Sequence, residues 1–322
     1  MSARDPKQTF LETNFQISIN PPSTMKLKTY LFSLSDEGTE LLASLIPESA
    51  SEIASARWPI LLDNPVLPEV LEAGESTGGF WVSAEAVFSK AEQRGTTYFE
   101  VVCRKVVNAS DEDFETNSSI EERVPLVDRG GGTPIRLAKG FSLTRIALKP
   151  NMVGAIGGCE SEYVCGSAVA SIFDSEAFSG LSFVPVNNPR TNTPHEGFHQ
   201  LYSDDVLDPA IVDCSIERIQ SDWLEEDRKL RHLGNLSYPE EALNNKADFL
   251  RTAEPWASWN GWPSWVVSRK VVDMFRDKKL RGWAFRPVLL RESDTYSSYI
   301  EQWTYLNKLI SQYSRSEFDG GR

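Results

Sequence analysis

The chain has 322 residues, of which 40% are hydrophobic and 25% charged, so it is long enough to bury a large core and is composed like a globular protein. Its formal net charge of -13 argues against a nucleic-acid binder, because phosphate contacts come from clustered Lys and Arg, whereas the same charge suits a basic protein partner. The sequence contains no apolar run of the ~20 residues that a membrane span needs and no secretory signal pattern. We therefore expect a cytoplasmic protein that does not associate with membranes.

Three regions are predicted along the chain. Residues 1–24 show no hydrophobic periodicity and are expected to be a flexible N-terminal extension, unless the true start is Met25. Residues 25–134 are predicted to form an N-terminal α/β region that ends in a Gly-rich linker. Residues 135–322 are predicted to form an α+β domain that contains an internal repeat.

The N-terminal region shows several periodic segments. The alternating stretch KLKTYLFSL after Met25 predicts a strand, and the apolar spacing over residues 37–58 predicts a helix that is broken near Pro47. Farther on, VSAEAVFSKAEQ predicts a helix, Gly95 a turn and TTYFEVVCRKVV a strand. At the other end of the chain, YSSYIEQWTYLNKLISQYS predicts an amphipathic helix.

The predicted repeat lies in the C-terminal domain. Residues 164–186 align without gaps with residues 266–288, and seven residues are identical at a constant offset of 102. Each copy is predicted to be a helix that ends at a left-handed glycine, Gly180 or Gly282, followed by an F-x-P-V strand. The proline in each strand predicts a sheet edge or a strand start, because proline has no N–H group to donate. The predicted fold class is therefore α+β, with mixed or antiparallel sheets, flanking helices and two similar helix-Gly-strand units.

Charge is distributed unevenly along the chain. Residues 269–291 hold an excess of Lys and Arg, whereas acidic stretches occupy residues 110–122, 203–213 and 222–227. An acidic stretch is either ordinary solvated surface or part of a negative face that steers a positively charged partner. The sequence leaves both interpretations open.

One motif suggests metal chemistry. His195, Glu196 and His199 match H-E-x-x-H, in which a helix places two imidazoles on a zinc ion and the glutamate activates the bound water. A zinc-dependent hydrolase with His195 and His199 as ligands and Glu196 as the base is therefore one hypothesis. The alternative is that FHQLY, residues 198–202, is the next strand or turn after an F-x-P-V strand, because Pro194 and Gly197 make a poor helix.

A second motif is aromatic, with a tryptophan at every third position of one segment. The four residues are Trp256, Trp259, Trp262 and Trp265. This spacing would line the indoles along one side of a polyproline II or 3₁₀ segment. The segment is predicted to be either a binding ridge for a protein partner or a loop packed over the protein's own core.

The C-terminal domain resembles a known family. The F-x-P-V units, together with Ala-Asp-Phe-Leu at 247–250 and Trp-Val-Val-Ser at 265–268, resemble bacterial immunity-type proteins of polymorphic toxin systems, including the myxobacterial double-CxxCG group, over about residues 140–290. The resemblance implies a non-enzymatic cytoplasmic protein that neutralises a toxin by occluding it. Here Cys159 and Cys165 are separated by five intervening residues and do not form tight pairs, a departure that argues against a zinc ribbon.

Three hypotheses of function follow from the sequence. The first is a non-enzymatic acidic binding protein of the immunity type, which needs no cofactor and contacts a toxin through its acidic segments or its tryptophans. The second is the zinc-dependent hydrolase. The third is a structural or regulatory domain without a ligand.

Overall fold

The computed structural model describes residues 25–33, 36–46, 58–75, 80–107, 140–157, 159–210, 213, 215–218, 230–254 and 263–313. Helices and several sheets of mixed or antiparallel strands make up this part of the chain, so the protein has the predicted α+β fold. None of the helices in these ranges is long and apolar enough to cross a membrane.

The elements are numbered here in chain order. The helices of the described residues are α1 (Asp36–Leu45), α2 (Leu67–Glu75), α3 (Lys90–Gly95), α4 (Ser167–Ser175), α5 (Glu240–Leu243), α6 (Arg269–Asp277) and α7 (Asp294–Tyr313). The first strands are β1 (Lys26–Ser33), β2 (Trp58–Leu61), β3 (Phe80–Val87), β4 (Tyr98–Cys103), β5 (Val106–Val107), β6 (Val153–Ile156), β7 (Cys159–Gly166) and β8 (Ser182–Asn188). They are followed by β9 (Thr193–Tyr202), β10 (Ile216–Arg218), β11 (Leu230–His232), β12 (Ser237–Tyr238), β13 (Phe249–Arg251), β14 (Trp265–Ser268), β15 (Trp283–Pro287) and β16 (Leu289–Leu290).

An antiparallel sheet of order β2-β1-β3 forms the N-terminal part of the structure. The strand predicted after Met25 is confirmed as β1, and the first part of the broken helix is confirmed as α1. The terminal amphipathic helix is also confirmed: α7 buries Trp303 and Leu306 in the core beneath this sheet.

The helix predicted for VSAEAVFSKAEQ is wrong over its first half. This segment begins within β3, which pairs with β1 along its whole length, and only Lys90–Gly95 is helical. The buried residues Ala84, Ala86 and Phe88 alternate with more exposed ones, which is the period of a strand. Pairing with β1 and burial on one face therefore override the helical propensity of the alanines and glutamates.

Two larger sheets form the centre of the molecule, one of order β13-β14-β4-β15 and one of order β5-β6-β7-β9-β8. Strand β4 belongs to the predicted N-terminal region, but both of its neighbours, β14 and β15, come from beyond residue 135. The predicted boundary between residues 134 and 135 therefore does not separate two independent sheets.

The two aligned segments have matching elements. Helices α4 and α6 begin and end at equivalent positions of the alignment, and the strands that follow, β8 and β15, each lie at a sheet edge as their prolines predict. The helices begin later than predicted, because residues 164–166 and 266–268 belong to β7 and β14. An origin of the two segments by duplication stays a prediction.

Each predicted glycine has a left-handed backbone, but it lies in the turn after the helix and not at the helix end. Gly180 has φ 76° and Gly282 has φ 105°, whereas α4 and α6 end several residues earlier. A Cβ at Gly180 would collide with the carbonyl oxygen of Phe249, and a Cβ at Gly282 with that of Val153. Each turn thus packs against the first residue of a strand in the other sheet, which fixes the position of both turns.

A single aromatic core joins the two central sheets. Its largest members are Phe173, Phe249, Trp265 and Trp283, all nearly inaccessible to solvent. The guanidinium of Arg286 connects the central sheet to the N-terminal one, since its nitrogens lie 3.2 Å from Glu100 and 3.5 Å from Glu85.

Candidate protein-interaction surface

The H-E-x-x-H segment lies on strand β9. His195 to His199 is extended except at Gly197, whose φ is 77°, and β9 pairs with both β8 and β7. The alternative that this segment is the next strand after F-x-P-V is confirmed. Adjacent strands hold the segment through backbone hydrogen bonds, which is why the motif does not form a helical turn.

This geometry does not fit a zinc ion. Four residues of an extended strand span about 13 Å, whereas two imidazole nitrogens on one zinc ion each lie about 2.1 Å from it. His195 Nε2 is instead 2.6 Å from the carbonyl oxygen of Leu143, and the ring of His199 packs 6.2 Å from that of Phe183. Glu196 is exposed. Among the described residues, no group of three or more His, Cys, Asp or Glu side chains is arranged to hold a metal ion.

One tryptophan of the motif, Trp265, lies within the described residues. Trp265 is the first residue of β14 and is fully buried, with its ring 5.5 Å from Tyr163 and 5.6 Å from the guanidinium of Arg251. The prediction of an exposed binding ridge is therefore wrong at Trp265, which is a core residue. Trp256, Trp259 and Trp262 lie outside the described residues, and their role as a binding ridge stays a prediction.

The two cysteines whose side chains the structure describes are thiols that form no disulfide within the described residues. Cys103 is half-buried and Cys165 is fully buried on β7. Burial raises the pKa of the Cys165 thiol to about 12, although backbone hydrogen bonds act in the opposite direction. A thiol with this pKa is not a nucleophile at neutral pH, so the geometry assigns Cys165 to packing.

The structure brings acidic side chains from three chain segments together around the turn at Gly180. We call this group the acidic surface, and it consists of Asp174, Glu176, Asp204, Asp205, Asp208 and Asp248. The four aspartates at 174, 204, 205 and 208 are exposed, and the other two residues are half-buried. Among the described residues, Lys246 lies 3.7 Å from Asp208, and Lys270 donates to the carbonyl oxygen of Glu176. The described side chains of this surface are therefore predominantly acidic.

Backbone hydrogen bonds fix the three segments relative to one another. The N–H of Phe249 donates to the carbonyl oxygen of Ser179 at 3.1 Å, and the N–H of Arg251 donates to that of Asp205 at 2.9 Å. The hydroxyl and the N–H of Ser179 both donate to Asp248 Oδ2 at 3.1 Å. The acidic surface is therefore built on the ends of strands and on one tight turn, which preorganises its charges.

The pKa of Asp248 reflects its hydrogen bonds within the acidic surface. Partial burial alone would raise the pKa of this carboxyl, but hydrogen bonds from Ser268 and Ser179 and the nearby Lys270 ammonium outweigh it, so the pKa is lowered. Asp248 is consequently ionised at neutral pH, and it anchors the turn at Ser179 to strand β14 through Ser268.

Only part of this surface can be predicted from the sequence. The acidic stretch at residues 203–213 was identified there, and it supplies Asp204, Asp205 and Asp208. Asp174, Glu176 and Asp248 were missed, because they are isolated acids in the sequence and join the surface only through the turn at Gly180. The remaining acidic stretches, residues 110–122 and 222–227, lie outside the described residues.

No protein-family model matches the chain, and no curated protein sequence is significantly similar to it.

Proposed function

We propose that the chain is a non-enzymatic, cytoplasmic binding protein of the bacterial immunity type, which neutralises a basic protein toxin by occluding it. The observation that carries this proposal is the acidic surface, in which six carboxylates are held on a rigid frame. A basic nuclease domain is the kind of toxin that such a surface fits, because an enzyme that binds nucleic acid needs positive charge around its active site.

The physical role of the acidic surface is to speed and orient the encounter. Complementary charge raises the rate of association between proteins well above the value for neutral surfaces, and a fixed array of carboxylates loses little conformational freedom on binding. Asp205 is exposed, and its carbonyl oxygen accepts a hydrogen bond from the N–H of Arg251, so its carboxylate is held in a fixed place from which it can pair with a guanidinium group of a partner.

Neutralisation by occlusion requires no reaction at this surface. The inhibitor needs only to cover the active site of the toxin and to dissociate slowly, which apolar anchors provide once charge has guided the encounter. Trp256, Trp259 and Trp262 remain candidates for these anchors. Their segment joins strands β13 and β14, of which β13 begins at Phe249 beside the acidic surface.

The proposal is tested by co-expression in a bacterial host. The proposal predicts a toxin domain in a reading frame next to this gene, and the absence of one would contradict it. That domain is induced together with either the wild-type chain or a charge-reversed variant, Asp174→Lys/Asp204→Lys/Asp205→Lys, and growth is measured. The matched control, Glu40→Lys/Glu72→Lys/Glu301→Lys, changes net charge equally at exposed helix positions away from the acidic surface.

We expect the wild type and the control to restore growth and the variant reversed at the acidic surface to lose protection. Protection by all three chains would contradict a role for this surface. No protection by the wild type, despite equal soluble expression, would contradict the immunity function itself.

A further inference from the structure

A second charged surface lies around the turn at Gly282, where five basic side chains from three chain segments meet. We call it the basic surface: Arg104, Lys105, Lys149, Lys279 and Arg281. Lys105 is half-buried and the other four are exposed. Its existence is unexpected in a chain with 46 acidic side chains and a net charge of -13.

Backbone contacts bring these segments together. The N–H of Arg104 donates to the carbonyl oxygen of Gly282 at 2.7 Å, and the N–H of Val153 donates to that of Arg281 at 2.9 Å. The N–H of Ala155 donates to the carbonyl oxygen of Lys105 at 2.8 Å. The loop that carries Lys149 leads directly into β6, so its ammonium group belongs to the same surface.

No member of the basic surface forms an ion pair with a carboxylate of the described residues. Like charges held together without counter-charges repel one another and lower stability. The C-terminal end of helix α6 favours a nearby cation and so accounts for Lys279, but it does not explain Arg104, Lys105 or Lys149. Binding of an anionic surface would relieve this repulsion.

The basic surface and the acidic surface occupy equivalent places in the two matching units. Asp174 and Glu176 at the end of α4 correspond in the alignment to Arg276 and Lys278 at the end of α6, two basic residues that directly precede Lys279 of the basic surface in the chain. The turn at Gly180 packs against the start of β13, and the turn at Gly282 packs against the start of β6. Two surfaces of similar backbone construction thus carry opposite charge.

We propose that the basic surface of one copy of the chain docks on the acidic surface of a second copy. The acidic surface is a binding partner of the required charge that every solution of this protein contains. A nucleic acid fits less well, because an extended polyanion would also run over the acidic remainder of the chain.

The contact joins two different surfaces, so it is head-to-tail and leaves one surface of each kind open at the ends of a dimer. The net charge of -13 per copy opposes growth of longer assemblies. The inference goes beyond the proposed function and does not rest on it, although a basic toxin would compete with the second copy for the acidic surface.

The test is sedimentation of the full chain over a concentration series at about 50 mM and about 500 mM NaCl, since salt screens exposed charges beyond a few ångströms. Two variants are compared with the wild type: Lys149→Glu/Lys279→Glu/Arg281→Glu, which has two acidic surfaces, and Asp174→Lys/Asp204→Lys/Asp205→Lys, which has two basic ones. All six side chains are exposed, and equal melting temperatures establish that both variants fold.

We expect the wild type to self-associate at low salt and to dissociate at high salt. In each variant alone the dissociation constant should rise by about tenfold or more, and an equimolar mixture of the two variants should associate again. A monomeric wild type at low salt, unchanged association in either variant, or a mixture that stays dissociated would overturn the proposal.

A parallel titration with a fluorescent DNA duplex tests the alternative that the basic surface binds a nucleic acid. Binding to the duplex by the wild type that is lost in the Lys149→Glu/Lys279→Glu/Arg281→Glu variant would overturn self-docking in favour of a nucleic-acid partner. The same variant keeps its acidic surface, so it should still protect against a basic toxin. Its growth assay therefore distinguishes a failure of this inference from a failure of the proposed function.

Discussion

Tyr163 and Trp265 meet edge to face in the centre of the core, with ring centroids 5.5 Å apart and ring planes inclined by 64°. Tyr163 lies on β7 and Trp265 on β14, each one residue before an aligned segment. Both rings are nearly inaccessible to solvent. The contact therefore ties the two central sheets together.

Trp265→Ala should lower the free energy of unfolding by about 3–5 kcal/mol, because it leaves a cavity among large aromatic rings. Trp265→Phe should lose less, since it keeps a ring against Tyr163. Denaturant unfolding followed by circular dichroism measures both variants. A Trp265→Ala chain as stable as the wild type would place the indole outside the core and return it to the predicted binding ridge.

Gly282→Ala should destabilise the fold by more than about 2 kcal/mol, because its φ of 105° is strained for alanine and its new Cβ would collide with the backbone of Val153. Gly95→Ala is the matched control. No atom lies within 4 Å of a Cβ at Gly95, which is the last residue of helix α3, so this change should be neutral or slightly stabilising. The melting temperature should fall in Gly282→Ala and stay unchanged or rise slightly in Gly95→Ala. Equal changes in the two variants would refute the tight turn at Gly282.

A buried ion pair crosses the core between the central sheets. Arg251 lies on β13 and Glu162 on β7, both almost completely buried, with the guanidinium 3.0 Å from the carboxylate. Gln200 donates to the same carboxylate from β9. These contacts satisfy charges that would otherwise be costly in a nonpolar interior.

Arg251→Met should therefore lower the free energy of unfolding by about 3–5 kcal/mol, because it leaves the Glu162 carboxylate buried without its counter-charge. The double variant Glu162→Gln/Arg251→Met should recover a large part of that loss, since neither residue is then charged. A double-mutant cycle in urea measures this coupling. Additive losses would show that the two side chains do not interact as described.

The hydroxyl of Tyr238 should make the stability of the fold depend on pH in the alkaline range. Burial, with negative charge on Glu254 and Glu100, raises the pKa of Tyr238 well above its ordinary value. The neutral form therefore stabilises the folded state below pH of about 10, and this contribution is lost as pH rises from there towards the folded-state pKa. The hydroxyl has no hydrogen-bond partner in the described part of the chain.

Above pH of about 10, the free energy of unfolding should consequently fall less steeply with rising pH in Tyr238→Phe than in the wild type. At neutral pH the two free energies should agree within about 1 kcal/mol. Tyr299→Phe serves as the control. The Tyr299 hydroxyl accepts a 2.8 Å hydrogen bond from the buried N–H of Asn235, so its removal should cost about 1–3 kcal/mol at neutral pH. Identical pH profiles for Tyr238→Phe and the wild type would contradict the burial of this hydroxyl.

The strand conformation of β9 makes a prediction about metal content. His195 and His199 cannot share one ion, so purified protein dialysed against zinc should retain less than about a tenth of an equivalent at these residues. Mass-spectrometric metal analysis of the wild type and of His195→Ala should give the same value. Stoichiometric zinc that His195→Ala abolishes would revive the hydrolase hypothesis.

Local periodicity predicted the elements whose burial pattern lies in their own sequence. Strand β1 and helix α7 are of this kind, since each buries one face against neighbours along its whole length. Strand β3 was predicted as helix, because AEAVFSKAEQ has strong helical propensity and only its partner β1 imposes the extended form. The insertion of β4 between β14 and β15 has no local signal at all, since it depends on pairing between strands far apart in sequence.

The acidic surface also depends on contacts between residues that are far apart in the sequence. Three of its carboxylates form a visible cluster in the sequence, but Asp174 and Asp248 are brought to them by the turn at Gly180. The H-E-x-x-H match misled for a related reason. A short motif specifies its chemistry only on the element that gives it geometry, and here that element is a strand.

The most direct test of the central claim is calorimetric titration into the full chain of the purified toxin domain that the proposal predicts in a neighbouring reading frame. We predict tight one-to-one binding by the wild type, weakening by about tenfold or more in Asp174→Lys/Asp204→Lys/Asp205→Lys and by much less in Glu40→Lys/Glu72→Lys/Glu301→Lys. Binding that is equally strong in both variants, or equally weakened in both, would contradict a specific role for the acidic surface.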